Sequence, residues 1–396
     1  MNLDALKNPG PVGSDRKKSE VPEQWRPRME YDEQGGYVVS SPAAAGNLPG
    51  AEELLAEHGL DPAEWVVTSA RKGKWQKYDG DWLESVRVNI APRTATVPDF
   101  DLEALVDEVR KWRPARAGRV FTGDAAFGLA GADKQIGKKA GSGGTEQTVG
   151  RVLVGTERGL DRFRMLCKFG VPLGTIVLPE VGDHVEGNVS QSGRLQGQAA
   201  SDLGQTEQVR VARRLMLAQV KAFAPLVERV LIPVVNGNHD EVTRQVAADP
   251  ADGWNVEIAS AVQDACAENP ALQHVEFRFP ESGHQTLTVD VNGTLLGLFH
   301  GHQFRGDVAS YLKGQALGQT SLGGADVWLS GHYHNFQTKD IGSGRFWMQA
   351  PTVDPGSDWF RDRAGSDSNP GVLTFVIGGG VDPREFIGVL PVDSRS

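Results

Sequence analysis

The stretch VLIPVVNGNHD, residues 230–240, runs from a continuous apolar segment directly into residues that carry chemistry. Gly237 lets the backbone approach a metal ion or an anion closely, and Asn238 offers a hard amide oxygen suited to Mg²⁺ or Mn²⁺. His239 can donate a proton, and Asp240 can orient the imidazole of His239. The apolar run before them predicts a buried strand that delivers these groups from its end. A plain turn with a surface histidine is the weaker alternative.

The same pattern, an apolar run followed by a short polar motif, recurs along the chain. The other motifs are Asp133-Lys134-Gln135, Gly182-Asp183, His300-Gly301-His302 and Gly331-His332-Tyr333-His334. Six of the nine histidines fall inside these motifs or directly beside them, namely His184, His239, His300, His302, His332 and His334. Carboxylate, amide and imidazole groups delivered from strand ends are ligands that hold a pair of divalent cations.

The apolar runs also predict the fold class. They lie at 126–132, 174–181, 230–235, 293–299 and 325–329, and helical patterns at 145–169 and 205–227 lie between them. This repeated order of strand and helix predicts an α/β fold, with ligand groups gathered at the carboxyl ends of the strands. One large domain is therefore predicted over residues 116–396.

The N-terminal part differs in composition. Residues 1–48 are polar and rich in Pro, Gly and Ser, which predicts a mostly disordered arm from which Trp25 can dock on the folded body. Residues 49–115 predict a small α+β module and a linker helix. Its elements are a helix at 51–58 and strands at 65–68 and 83–88, and its expected core residues are Trp65, Trp75 and Trp82.

Charge and cysteine content limit the class of protein. The net charge is −10, which argues against a protein whose main task is to coat nucleic acid, because that grip comes from Lys and Arg. It does not exclude a nuclease, because bound cations supply local positive charge. Two cysteines are too few for a disulfide framework, so a reducing cytoplasm is expected. Neither a signal peptide nor a membrane span is recognisable, and no membrane partner is expected.

Some of the motif residues have structural alternatives or competing candidates. Asp183 could instead cap a helix N-terminus. Asp124 competes with Asp133, which is preferred because a small-residue apolar strand precedes it and a Gly-rich loop follows it. His300 is the favoured ligand of its motif because it comes first after the apolar run. The candidates placed at the substrate are His302, His184 and Lys138.

In this order the motifs resemble those of the calcineurin-like metallophosphoesterase superfamily, over about residues 120–345. The resemblance implies two mixed β-sheets sandwiched between helices, with two divalent cations at their edge. It implies His239 as proton donor or phosphate ligand. The implied ligands of the first cation are Asp133, Gln135, Asp183 and His334, and those of the second are Asp183, Asn238, His300 and His332.

Gln135 departs from this family pattern, in which the first motif is usually Asp-x-His. An amide oxygen is a harder and weaker ligand than imidazole, so the first cation is expected to be loosely held. Mn²⁺ or Mg²⁺ is expected first, with Zn²⁺ or Fe as alternatives. The stretch 133–138 followed by Gly-Gly-Thr-Glu also resembles uncharacterised metallophosphoesterases of actinobacterial phages, which implies the cytoplasm of an infected bacterium.

The expected function is hydrolysis of phosphoesters, with phosphodiesters of nucleic acid favoured. The basic stretches 71–77 and 134–139 support nucleic acid, because Lys beside Trp can bind backbone and stack a base, although a solvated face explains each stretch equally well. A catalytically degenerate fold that binds nucleic acid or protein is the alternative, and Gln135 favours it. A single zinc site built on four histidines ranks last, because it leaves Asp183 and Asn238 without a role. Mono- versus diesterase action and oligomeric state stay open.

Overall fold

The computed structural model describes residues 21–32, 35–44, 47–61, 65–77, 80–92, 109–114, 120–140, 143–189, 201–243, 248–354, 356 and 369–393. The chain forms two compact units, Met1–Phe100 and Asp101–Ser396. This division falls earlier than the predicted boundary at 115. Among the described residues, no helix has the length and apolar character needed to cross a bilayer.

The described part of the first unit contains a five-stranded antiparallel sheet, a 3-10 helix (Glu23–Trp25) and one α-helix. Its elements are β1 (Arg28–Asp32), β2 (Gly35–Val39), β3 (Ala43–Ala44), α1 (Ala51–Glu57), β4 (Trp65–Gln76) and β5 (Trp82–Pro92). β1 pairs with β2, and β2 and β3 pair with successive parts of one edge of β5. β4 pairs with the opposite edge of β5 over its full length. The prediction of a disordered arm is therefore wrong for the residues of β1, β2 and β3, because β2 pairs with β5 and its apolar side chains, such as Val38, enter the core. Residues 1–20 lie outside the described residues.

The core of this unit is aliphatic and not built from tryptophans. Its buried members are Val38, Leu54, Leu55, Leu60, Val86, Val88 and Ile90. Trp65 packs against this cluster and is partly buried, whereas Trp82 is 49% exposed. Trp75 stacks on Trp25, with ring centroids 6.5 Å apart, which confirms that Trp25 docks on folded chain. The predicted tryptophan core is therefore wrong, because aliphatic side chains of β2, α1 and β5 fill the interior and only Trp65 of the three packs against them.

The second unit contains two mixed sheets. Its strands are β6 (Ala125–Ala130), β7 (Leu173–Val177), β8 (Arg229–Pro233), β9 (Val275–Arg278), β10 (Thr286–Val291), β11 (Thr294–Phe299), β12 (Val327–Ser330), β13 (Gln337–Gly342), β14 (Arg345–Gln349), β15 (Gly371–Ile377) and β16 (Gly388–Pro391). Its helices are α2 (Thr145–Lys168), α3 (Gln205–Phe223), α4 (Trp254–Ala267) and α5 (Val308–Leu317). The sheet orders are β16-β15-β6-β7-β8-β9 and β10-β11-β12-β14-β13. The predicted α/β class is confirmed.

Alternation along the strands sorts their side chains into separate buried clusters. Ala126 and Ala130 of β6 share one cluster with Leu329 of β12, so this cluster joins the two sheets. Phe127, on the other face of β6, belongs to a second cluster that includes residues of α2, α3 and α4. Trp328 of β12 belongs to a third cluster that includes residues of α5. Each sheet thus has apolar side chains on both of its faces.

The parallel strands of both sheets lead into the polar motifs. β6, β7 and β8 are neighbours and run parallel, and so are β11 and β12. The carboxyl ends of parallel neighbours meet at one edge of a sheet. The motifs that follow β6, β7, β8, β11 and β12 are consequently candidates for one shared site.

Candidate metal centre

Three predicted ligands converge although they follow three different strands. The ligand atoms of Asp183, His300 and His332 all lie within 4.8 Å of one another, and they form the single such group found in the described part of the chain. An aspartate therefore belongs to this group and His302 does not. The alternative of a zinc site made from four histidines receives no support from this arrangement.

Backbone strain is concentrated at the same place. Eight non-glycine residues with positive φ occur in the described ranges, and five of them are candidate ligands: Asp133 (46°), Gln135 (41°), Asp183 (55°), His332 (72°) and His334 (62°). A non-glycine residue in the left-handed region costs on the order of 1–3 kcal/mol and persists only where its surroundings impose it. Such strain is typical of a functional site.

Asp183 is at the centre of this arrangement. One carboxylate oxygen, Oδ1, accepts the backbone N–H of His239 at 2.7 Å, and the other, Oδ2, lies 3.0 Å from Nε2 of His300. Burial raises the pKa of Asp183, but the attraction of His300 and His239 outweighs burial and holds this pKa well below its ordinary value. Asp183 is therefore a carboxylate that is 1% exposed and fully charged.

His300 presents one nitrogen to this carboxylate. Its Nδ1 lies 2.7 Å from the carbonyl oxygen of Val181, which fixes the ring with Nδ1–H donating and Nε2 facing Asp183 and Asp133. Nε2 of His300 and Oδ1 of Asp133 are buried atoms, and neither makes a hydrogen bond of good geometry within the described residues. Burial lowers the pKa of His300, but Asp183 and then Asp133 raise it to about 10. The position thus attracts positive charge.

His332 differs from His300 in its charge state. Its backbone N–H donates to Oδ2 of Asp133 at 2.8 Å, and its ring centroid lies 5.1 Å from that of His300. Burial first, and then repulsion by His300, lower the pKa of His332 to about 4. His332 is therefore a neutral imidazole at pH 7, which is the form that binds metal ions.

His334 faces a carboxylate on each side of its ring. Its Nε2 lies 3.4 Å from Oδ1 of Asp133, and its Nδ1 lies 3.4 Å from Oδ2 of Asp354. Burial lowers the pKa of His334, but Asp133 and Asp354 outweigh burial and raise this pKa. Asp133 thus contacts both histidines of the motif that follows β12.

Asn238 is partly buried and lies between two residues that contact Asp183. A Cβ added to Gly237 would sit 2.0 Å from Oδ1 of Asp183, so only glycine allows this close approach. The backbone N–H of His239 donates to the same oxygen. Both neighbours of Asn238 are therefore fixed against Asp183, and its role as a ligand stays a prediction.

The His239 imidazole is held in a defined orientation beside the carboxylate. Its Nδ1 lies 2.8 Å from the backbone carbonyl oxygen of Glu186, and its Nε2 lies 3.3 Å from Nε2 of Gln135. Burial lowers the pKa of His239, but Asp183 and then Glu186 raise it to about 9. His239 is thus protonated at pH 7 and able to donate a proton.

The prediction that Asp240 orients His239 is wrong. The carboxylate of Asp240 is fully buried and accepts the backbone N–H groups of Asp183 at 2.7 Å, of His184 at 3.3 Å and of Gly237 at 2.7 Å. These bonds tie the loop after β7 to the loop after β8. Glu186 takes the orienting role instead, and Asp240 is a positioning residue for the backbone.

His184 is not available to a substrate, which corrects a second prediction. Its side chain is fully buried, and its Nε2 pairs with Glu180. Lys134 also pairs with Glu180, at 2.9 Å, and is 2% exposed. Lys134 lies in the interior and adds no charge to a cationic surface at 134–139, where Lys139 is the exposed lysine.

The other two residues placed at the substrate are His302 and Lys138, and both are partly buried. His302 is partly buried and shares a cleft of 330 Å³ with Asn236 and Gly237. Lys138 donates to Oε1 of Gln135 and pairs with Asp354. Contact of His302 and Lys138 with a substrate stays a prediction.

Asp354 is a residue of the site that none of the sequence motifs contains. It contacts His334 and Lys138, and Thr352 donates to the backbone oxygen of Asp133 at 2.7 Å. The signal was present in the sequence, because the apolar strand β14 leads into Thr352 and Asp354 as other strands lead into their motifs.

Comparison with known proteins gives only distant structural likeness. No protein-family model and no curated protein matches the chain. Among solved structures it is similar to a conserved uncharacterized protein, a predicted phosphoesterase, from Streptococcus pneumoniae TIGR4, at 13% identity and a TM-score of 0.28 over 68% of this chain and 90% of that chain. It is also similar to a Vps29 double mutant from Entamoeba histolytica, at 14% identity and a TM-score of 0.28 over 68% and 99%. The third is Vps29 from Chaetomium thermophilum, at 12% identity and a TM-score of 0.28 over 64% and 85%.

Proposed function

We propose that the chain is a metal-dependent phosphoester hydrolase of the calcineurin-like type, with two mixed sheets between layers of helices. The observation that carries this proposal is the group of Asp183, His300 and His332, with a protonated His239 beside the same carboxylate. A purely structural cluster has no need of a partly buried proton donor next to three metal-type ligands. The combination is what hydrolysis of a phosphoester requires.

The residues present fit a divalent cation. Oδ1 of Asp133 and Nε2 of His300 are buried polar atoms at the candidate centre, and neither has a hydrogen-bond partner in the described ranges. Bound cations would satisfy both atoms. Carboxylate and imidazole together suit Mn²⁺, Mg²⁺, Zn²⁺ or Fe. Two positions share Asp183 in this proposal. The first adds Asp133, Gln135 and His334, and the second adds Asn238, His300 and His332.

Divalent cations at such a centre polarise a phosphoryl oxygen and make a water molecule nucleophilic at neutral pH. The chain itself contributes orientation and a proton. Asp183 holds the His239 loop through its backbone N–H, and His300 is fixed by Val181, so these groups need little reorganisation. His239 donates its proton to the departing oxygen, and Glu186 keeps the ring in place during this step.

The proposed substrates are phosphodiesters of nucleic acid. Tyr333 is 38% exposed next to His332 in the chain, and its ring contacts that of His332 at 4.9 Å between centroids. An exposed ring beside the cation ligands offers a surface on which a base can stack. In the first unit, Arg71 and Lys72 are exposed on β4. Trp75 is less suited to stack a base than the sequence suggests, because it already stacks on Trp25.

The test is hydrolysis of bis-p-nitrophenyl phosphate by the purified full chain with Mn²⁺. We expect turnover in wild type, and loss of both turnover and Mn²⁺ binding in Asp183→Asn. The control is His284→Asn, because His284 is exposed and bonds locally to Ser282. Comparison of the hydrolysis rates of DNA, RNA, cyclic nucleotides and phosphomonoesters then identifies the substrate class. Bound metal without turnover of any phosphoester, in every divalent cation, would contradict the proposal.

A binding module without activity is the second candidate, and one observation favours it. The amide oxygen of Gln135 accepts a hydrogen bond from Lys138 at 2.5 Å, so the first cation position lacks a strong ligand there. A binding module would keep its affinity for nucleic acid when His239 is replaced by Ala. A hydrolase would lose turnover and still bind metal.

A further inference from the structure

The part of the candidate centre around Asp133 and His334 already contains a fixed positive charge. The ammonium group of Lys138 donates to Oε1 of Gln135 at 2.5 Å and forms an ion pair with Asp354. The side chain of Lys138 is 13% exposed and that of Asp354 is 0% exposed. The ion pair therefore belongs to the interior of the site and not to a solvated rim.

The amide oxygen of Gln135 is already engaged by another side chain. Its oxygen faces Lys138, and its Nε2 lies 3.3 Å from Nε2 of His239. A divalent cation bound to the same oxygen would stand close to the ammonium group, and like charges repel strongly in a buried site. Gln135 is consequently a poor ligand for as long as Lys138 holds its oxygen.

Asp354 links Lys138 to His334. Its Oδ2 pairs with the ammonium group and lies 3.4 Å from Nδ1 of His334. The hydrogen bonds and ion pairs of Lys138 within the described residues do not reach the group formed by Asp183, His300 and His332. The hydrogen-bond and ion-pair partners of Lys138 thus lie in one half of the centre.

We propose that the chain holds one divalent cation tightly, at Asp183, His300 and His332, and that Lys138 takes the place of a second tightly bound cation. A phosphoryl oxygen of the substrate would then meet one metal ion and one ammonium group. The inference rests on the metal site of the proposed function, but it concerns the number of cations and not the reaction.

The experiment counts Mn²⁺ ions bound to the chelator-treated full chain, by calorimetric titration and by electron paramagnetic resonance. Wild type is expected to bind one ion tightly and to give the spectrum of isolated Mn²⁺. In Lys138→Met the affinity for a second ion is expected to increase by about tenfold or more, with a spin-coupled spectrum. Lys138→Arg keeps the charge and Lys139→Met changes an exposed neighbour, and both are expected to bind as wild type does.

Two equally tight ions in wild type would overturn the inference, and so would an unchanged second affinity in a folded Lys138→Met. If Lys138→Met fails to fold, Lys138→Gln is used in its place, because glutamine keeps a polar partner for Asp354. The number of Mn²⁺ ions that wild type binds tightly decides in either case. One tight ion without hydrolysis would contradict the proposed function and leave the count intact. Hydrolysis by a wild type that binds two ions tightly would support the proposed function and overturn the inference of a single tightly bound cation.

Discussion

His239 combines three features that a proton donor needs. Its pKa is raised to about 9 by Asp183 and Glu186 against the effect of burial, its ring is fixed by the Glu186 carbonyl group, and its Nε2 lies 4.0 Å from Oδ2 of Asp183. No single one of these features identifies a catalytic residue. Together they place a charged imidazole beside the carboxylate that the candidate ligands share.

Replacement of His239 by Gln tests this role. We expect kcat for bis-p-nitrophenyl phosphate to fall by about 10²–10⁴-fold, the range of general acid catalysis, while Mn²⁺ affinity changes little. Steady-state kinetics and calorimetric titration measure the two quantities, and His284→Gln is the matched control. An unchanged kcat would remove His239 from the mechanism.

Glu180 is one residue at which pH acts on stability. Burial raises the pKa of Glu180, but Lys134 and His184 lower it from 4.5 to about 2. A depressed pKa stabilises the fold above the unfolded value of 4.5, and this stability is lost as pH falls from 4.5 toward 2.

Replacement of Glu180 by Gln leaves the Lys134 ammonium group buried without its carboxylate. We expect the free energy of unfolding at pH 7 to fall by about 3–5 kcal/mol, and the difference from wild type to shrink below pH 4.5, where wild type also loses the charge. Urea unfolding at several pH values measures this. Glu281→Gln, at an exposed position, should have little effect. A difference that stays constant with pH would contradict the expected linkage.

At the scale of elements, the ends of the strands determine the site more than the strands do. The loops after β7 and β8 approach so closely that Gly237 has no room for a side chain beside Asp183. The Asp240 carboxylate then joins the two loops through three backbone N–H groups. The candidate centre depends on this contact between two loops from different strands.

Gly237→Ala tests the contact. The added methyl group would displace the Asp183 carboxylate, so we expect Mn²⁺ binding and turnover to be lost while the fold is retained. Gly150→Ala on α2 is the control, because its added Cβ meets nothing within 4 Å, and it should stabilise the helix by about 0.5–1 kcal/mol. Thermal unfolding and Mn²⁺ titration separate the two results. Normal metal binding in Gly237→Ala would show that the loops can part freely.

The sequence predicts the elements well and the directions of side chains poorly. Apolar runs locate β6, β7, β8, β11 and β12 to within a few residues, because burial on both faces requires continuous apolar sequence. The roles of His184 and Asp240 were predicted wrongly for another reason. Asp183 itself has a positive φ, and His184 follows it into the interior. Asp240 turns instead to backbone N–H groups of the loop after β7 and of its own loop. Spacing in the sequence shows neither direction.

At the scale of the whole molecule, the candidate metal centre and the two mixed sheets that position it belong to one unit. All candidate ligands, and the three buried clusters around the two mixed sheets, lie within Asp101–Ser396. The first unit, Met1–Phe100, has its own aliphatic core. Each unit thus buries apolar side chains of its own, as an independently folding domain does.

A chain that starts at Asp101 is expected to fold, to bind Mn²⁺ and to hydrolyse bis-p-nitrophenyl phosphate at a rate within about twofold of the intact chain, because additivity holds for independent parts. Its affinity for single-stranded DNA is expected to fall and to depend less on salt, because Arg71, Lys72 and Lys74 are removed. Kinetics and fluorescence anisotropy at two salt concentrations measure both. Equal DNA affinity of the two chains would assign the nucleic acid contact to the second unit alone.

The buried carboxylate of Asp240 has a consequence for solvent access. Backbone N–H groups in loops ordinarily exchange with deuterium within moments, whereas those of Asp183 and Gly237 donate to an oxygen that water does not reach. Their protection factors should therefore equal those of strand interiors. In a hydrogen exchange experiment, these two turns would belong to the slowest cooperative part of the molecule, although secondary structure places them outside it.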